Sequence, residues 1–99
     1  MSFTIDPRSL HALVAFVTVA EHRSFSAAAR RLGVSTSAVS QAVRRLERQV
    51  AAPLFFRTTR AVRTSDVGER LLADVGPAVR GMVEALRSAR TADGALSGT

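Results

Sequence analysis

A group of side chains packed into one short stretch can do chemistry together: Thr36, Ser37, Ser40, Gln41, Arg44 and Arg48. Val39, Val43, Leu46 and Val50 recur at spacings of four, three and four, which is one apolar stripe of a helix. Ser37, Ser40, Gln41, Arg44 and Arg48 fall on the opposite face, with Thr36 at the leading end. Hydroxyls and an amide hydrogen-bond base edges or phosphates, and arginines neutralise a phosphate backbone or grip guanine through two bonds. A helix face that is merely solvated usually mixes Glu with Lys, whereas Glu47 is the only acid between Ser35 and Val50. The pattern points to a double-stranded nucleic acid.

A second group follows in Arg57-Thr58-Thr59-Arg60-Ala61-Val62-Arg63. The β-prone runs Leu54–Arg57 and Ala61–Thr64 flank it, so it reads as a hairpin. Such a hairpin straddles a phosphate ridge or sends Arg60 into a minor groove. The competing reading pairs Arg57 with Glu47 or Glu69. Phe55 and Phe56 read as core or half-buried residues, and no aromatic stacking platform is expected among the arginines, which disfavours RNA.

Charge agrees with this placement. The chain has 99 residues, no cysteine and a net charge of +6, and all fourteen of its basic residues are arginine. Residues 1–64 hold ten arginines against three acids, a net +7, whereas residues 65–99 hold four against five, a net −1. A basic first part faces a polyanion and a near-neutral second part faces protein. No run approaches the ~20 apolar residues of a membrane span. The missing cysteines exclude redox motifs and zinc ribbons, and fit a cytoplasmic location.

The elements that position these groups carry local signals. Asp6-Pro7 starts a first helix that runs to about His22. Ser26 is read as the cap of a short second helix, Ala27–Leu32, with Phe25 buried before it and Gly33 ending it in a left-handed turn. Ser35 caps the third helix, and Pro53 closes that region. Helix, turn and helix have the length of a helix-turn-helix, whose second helix enters a major groove by its N-terminal part. Ser26 and Ser35, besides capping, lie at helix starts that can present N–H groups to phosphate.

Ser65, Asp66 and Glu69 start a fourth helix, expected to reach about Arg90. Leu72, Val75, Val79, Met82 and Leu86 alternate spacings of three and four, a heptad seam. At ~1.5 Å per residue that helix is ~39 Å long, more than the preceding head can cover, so the seam is read as a dimerisation surface. The alternative lays it along its own head. Gly76-Pro77 predicts a kink or a local break.

No constellation for catalysis, metal or cofactor is evident. His11 and His22 stand ~16 Å apart along one helix, no glycine-rich phosphate loop occurs, and the carboxylates are scattered. The chain is read as neither an enzyme nor a metalloprotein. A protein-interaction module using only the heptad seam is the remaining competitor.

The order of motifs resembles the N-terminal domain of LysR-type transcriptional regulators. The residues concerned are Ser24-Phe25-Ser26-Ala27-Ala28-Ala29-Arg30-Arg31-Leu32, Val34-Ser35-Thr36-Ser37-Ala38-Val39-Ser40, Arg45-Leu46-Glu47, Pro53-Leu54-Phe55, Arg57-Thr58 and Gly68. The resemblance covers about residues 7–90. It implies a mainly α fold with a small β-hairpin: a winged helix-turn-helix over residues 1–64, a linker helix that dimerises over 65–90, and a flexible hinge tail over 91–99. It places Thr36, Ser37, Ser40 and Gln41 on DNA-facing positions and Arg57 and Arg60 on the wing, and Thr58 between them is counted with the DNA-binding residues. It further implies a homodimer on operator DNA, with a tetramer open to a full-length protein, and a small-molecule effector acting only through a C-terminal domain that this chain lacks. The chain is accordingly read as an excised DNA-binding domain. The sequence departs from the family pattern at two places. Thr36-Ser37 stand where Gln-Pro is frequent, so base preference does not carry over, and Ala51 replaces the usual glycine before Pro53-Leu54-Phe55.

Overall fold

The computed structural model describes residues 6–58 and 61–97. In order, the elements are α1 (Pro7–His22), α2 (Phe25–Leu32), α3 (Thr36–Val50), β1 (Phe55–Arg57), β2 (Val62–Thr64) and α4 (Asp66–Ser97). The fold is mainly helical with one antiparallel hairpin, in the register Phe55 with Thr64, Phe56 with Arg63 and Arg57 with Val62. Among the described residues no helix is long and apolar enough to cross a membrane.

Local chemistry sets the boundaries. Asp6 accepts from the Arg8 backbone N–H at 2.9 Å, with Pro7 behind it, and so opens α1. Gly33 takes φ 70°, and the Val34 N–H turns back to the Ala29 carbonyl at 3.0 Å, closing α2. Ser35 caps α3 by accepting from the Ala38 N–H at 3.0 Å.

The core sits where α1 crosses α2, α3 and α4. Phe16, Val17, Val19, Val39, Val43 and Leu54 are fully enclosed. The α3 stripe is buried at Val39, Ala42, Val43 and Leu46, but Val50, expected inside, is 37% exposed. The last turn of α3 meets the first turn of α1, where the Gln49 amide donates to the Ser9 hydroxyl at 2.8 Å. Phe55 is buried between Phe16 and Phe25, at ring distances of 5.3 and 5.7 Å, whereas its neighbour Phe56 points outward. Alternation along a strand places the two rings on opposite faces.

α4 departs from expectation in two ways. It is one helix through Gly76 and Pro77, without the break, and it continues to Ser97, past the expected end near Arg90. Contacts on both sides of Pro77 hold the register. Leu72 and Val75 pack on the core, Val79 is buried in it, and Arg80 reaches Glu21 of α1 at 3.1 Å. Gly98 and Thr99, the end of the expected hinge tail, lie outside the described residues. The heptad seam is thereby divided: Leu72, Val75 and Val79 lean on their own head, while Met82 and Leu86 are 54% and 73% exposed.

Candidate nucleic-acid interface

The chemistry of the leading end of α3 is displayed outward. Thr36, Ser37, Gln41, Arg44 and Arg48 are exposed, and Ser40 is half-buried between that face and the core. Burying Val39, Val43 and Leu46 leaves the polar residues no other direction, because the two sets occupy opposite sides of one helix. Ser35 is exposed too, and its oxygen accepts the Ala38 N–H.

The second helix starts earlier than its sequence suggests. Ser24, not Ser26, is the cap: Ser24 Oγ accepts from the Ala27 N–H at 3.0 Å, and α2 begins at Phe25. Ser26 is an exposed residue of the first turn, its hydroxyl 3.2 Å from that of Ser24. Either serine satisfies the local capping rule. The tertiary requirement that Phe25 reach Phe55 selects Ser24.

The hairpin folds back toward these starts. Thr58 donates its N–H to the Ala61 carbonyl at 2.9 Å, and its hydroxyl accepts from the Ala61 N–H at 3.0 Å, so Thr58 shapes the turn. Arg60 and Thr59 lie outside the described residues. Arg57 pairs with neither acid considered for it. Glu47 accepts from the Leu54 N–H at 2.7 Å, Glu69 accepts the Thr64 hydroxyl, and the Arg57 guanidinium lies 4.0 Å over the Phe25 ring. Sequence reasoning missed that ring as a platform, because the two residues are far apart along the chain. A groove of about 510 Å³ runs between the helix starts and the wing, lined by Ser24, Ser26, Thr36 and Thr58 with Arg23 at its edge.

Among the described residues the ion pairs are Arg8–Asp6, Arg80–Glu21 and Arg87–Glu84. None engages Arg44, Arg48 or Arg57, so the arginines of this face keep their charge available to a ligand. The same residues show no three metal-ligating side chains gathered together, and both histidines are exposed.

Residues 10–69 match the family described as bacterial regulatory helix-turn-helix protein, lysR family. The chain belongs to that family. Its fold and motifs are those of a LysR-type helix-turn-helix DNA-binding domain. It is 45% identical over 87 residues to the HTH-type transcriptional regulator PgrR of Escherichia coli, covering 88% of this chain and 29% of PgrR. Similarity to the regulator ShiR of Corynebacterium glutamicum is 42% over 86 residues, 87% of this chain and 28% of ShiR. The chain thus spans less than a third of these relatives, which carry the names of regulators and not of enzymes. The crystal structure of the BenM DNA-binding domain with catB site 1 DNA superposes at a TM-score of 0.71, with 24% identity and coverage of 83% of this chain and 91% of that one. Full-length CbnR complexed with its target DNA superposes at 0.64, with 30% identity and coverage of 83% and 27%.

Proposed function

We propose that this LysR-type domain binds double-stranded DNA sequence-specifically as a homodimer and thereby regulates transcription. The carrying observation is the leading end of α3, where Thr36, Ser37 and Gln41 stand exposed, and behind them Arg44 and Arg48 form no ion pair among the described residues. Small hydroxyls and an amide at that end suit base edges, and the arginines farther along suit the phosphate backbone. Ser26, Ser35 and the wing residues Arg57, Thr58 and Arg60 supply further backbone contacts. Full-length CbnR, a structural neighbour at 30% identity, was solved with its target DNA, which supports DNA as the ligand.

Dimerisation falls to the distal half of α4, where Met82, Val83 and Leu86 are exposed at helical spacing. Leu72, Val75 and Val79 act indirectly, by fixing the angle at which α4 leaves its head. A dimer presents two recognition helices to half-sites one helical turn or a multiple of it apart. In a longer protein, further domains supply effector sensing and a tetramer.

Selection of bound duplexes from a random pool, followed by titration at several salt concentrations, tests the reading. Wild type enriches a two-half-site sequence. Arg44→Ala or Arg48→Ala weakens binding to every duplex and flattens the plot of log affinity against log salt by ~0.9 per lost phosphate contact. Ser37→Ala or Gln41→Ala changes which sequence is preferred. Met82→Asp with Leu86→Asp yields a monomer in sedimentation. A chain that ignores all duplexes in dilute buffer contradicts the reading and leaves only the interaction-module alternative.

A further inference from the structure

We propose that Phe25 is a positioning residue for DNA binding: its ring fixes the Arg57 guanidinium at the junction of wing and helix-turn-helix, ready for a backbone phosphate. The inference rests on the DNA-binding reading above and assigns a role to a residue otherwise read as core.

Three observations carry it. The first is the stack itself, with the guanidinium carbon 4.0 Å from the ring centroid. A cation over an aromatic face is held by the ring quadrupole, and Arg adds plane-to-plane contact that Lys lacks. The second is that the platform is anchored in the core. Phe25 is only 9% exposed and meets Phe55 edge-on at 5.7 Å, and Phe55 in turn lies 5.3 Å from Phe16, which is wholly buried. A row of three rings therefore runs outward from the core and ends beneath Arg57. The third is what the stack leaves open. Arg57 is exposed and takes part in none of the ion pairs among the described residues, so its N–H donors are available to grip a phosphate through two parallel bonds. The two acids considered as its partners are engaged elsewhere, Glu47 by the Leu54 N–H and Glu69 by the Thr64 hydroxyl.

Chemistry and location agree. Phe25 occupies the first position of α2, between the Ser24 cap and exposed Ser26, and it lines the groove that Ser26, Thr36 and Thr58 share. An arginine on a short hairpin would otherwise sample many rotamers, and holding it in one lowers the entropy lost when it meets phosphate. The stack also ties the wing to the helix pair, so that contacts from both arrive in one register.

A double-mutant cycle in duplex binding by the 99-residue chain tests this. Phe25→Leu keeps apolar bulk and removes the aromatic face. It should weaken binding about 2–5-fold on all duplexes, the scale of an exposed cation–π contact. In an Arg57→Ala background the same change should have no further effect. An equal loss in both backgrounds would show that Phe25 does not act through Arg57. A direct readout covers the case in which Phe25→Leu fails to fold: in the free wild-type protein the Arg57 side-chain Nε–H resonance should carry an upfield ring-current shift, and an unshifted resonance overturns the stack. Wild type that binds no duplex defeats the DNA-binding reading, whereas wild type that binds and Phe25→Leu that binds equally defeats only the positioning role.

Discussion

The α-carbon of Gly68, in the first turn of α4, lies against the main-chain carbonyl of Leu54, the fully buried residue that leads into the wing. A Cβ at Gly68 would run into that carbonyl oxygen and would also meet Thr64 Cγ2 at 3.3 Å. Ser65 completes the junction. Its hydroxyl accepts from the Gly68 N–H at 3.0 Å and donates to the Pro53 carbonyl at 2.6 Å, while its own N–H donates to the Leu54 carbonyl at 3.0 Å. The turn after α3, the wing and the start of α4 thus meet at one point, which sets how the wing stands beside the recognition helix.

Gly68→Ala should therefore lower stability by roughly 1–3 kcal/mol, the usual effect of forcing an extra methyl into a tight site. The neighbour that must give is backbone, not a flexible side chain. Urea denaturation reads the loss directly, and for a domain of this size the thermal midpoint should fall ~4–8 °C per kcal/mol. An unchanged midpoint would mean that the junction opens without cost.

Ala51 offers the opposite opportunity. It ends α3 at φ 58° and ψ 37°, in the left-handed region. A Cβ there costs about 1–2 kcal/mol, and glycine gives back part of the relief through greater freedom in the unfolded chain. Ala51→Gly should raise stability by a net of roughly 0.5–1 kcal/mol, seen as a higher urea midpoint at constant slope. A fall would show that the unfolded-chain effect dominates.

The features legible in the sequence are those decided within a turn or two of chain. Asp6-Pro7, Gly33 and Ser35 act on adjacent backbone groups, and the Val39-Val43-Leu46 stripe needs only helical periodicity, so all were readable. What remained hidden depends on residues distant in sequence. The choice of Ser24 over Ser26 turns on Phe25 reaching Phe55. The continuity of α4 through Pro77 turns on Val79 and on the Arg80–Glu21 pair. The partner of Arg57 is a ring on another element.

Acid should weaken the start of α1. The Asp6 carboxyl is held below the ordinary value of 3.8, first by the Arg8 backbone N–H, then by the Arg8 side chain, with the charges of Arg8 and Arg45 adding to these and desolvation opposing them. A carboxylate that is more acidic folded than unfolded adds stability above its unfolded value and loses it as pH falls through the folded value. Asp6→Asn caps nearly as well but carries no charge. The wild-type advantage over Asp6→Asn should be constant from neutrality to about pH 5 and vanish at lower pH, most visibly at low salt. Thermal melts of both proteins across that range check it, and an advantage that grew on acidification would contradict the Arg8 contacts.

Ser24 and Ser26 should separate folding from binding. The Ser24 oxygen takes the Ala27 N–H in the first turn of α2, so Ser24→Ala should cost about 1 kcal/mol of stability. Ser26 accepts no backbone N–H among the described residues and stands exposed at the groove beside Thr36. Ser26→Ala should leave the melting temperature nearly unchanged and weaken duplex binding, by a similar factor on every sequence because a phosphate contact carries no base information. Melting curves and duplex titrations on the two variants read both quantities. Were Ser26→Ala the less stable protein, the cap would belong to Ser26 and α2 would begin two residues later; were its binding unaltered, the groove between α2 and the wing would not hold the phosphate backbone through this hydroxyl.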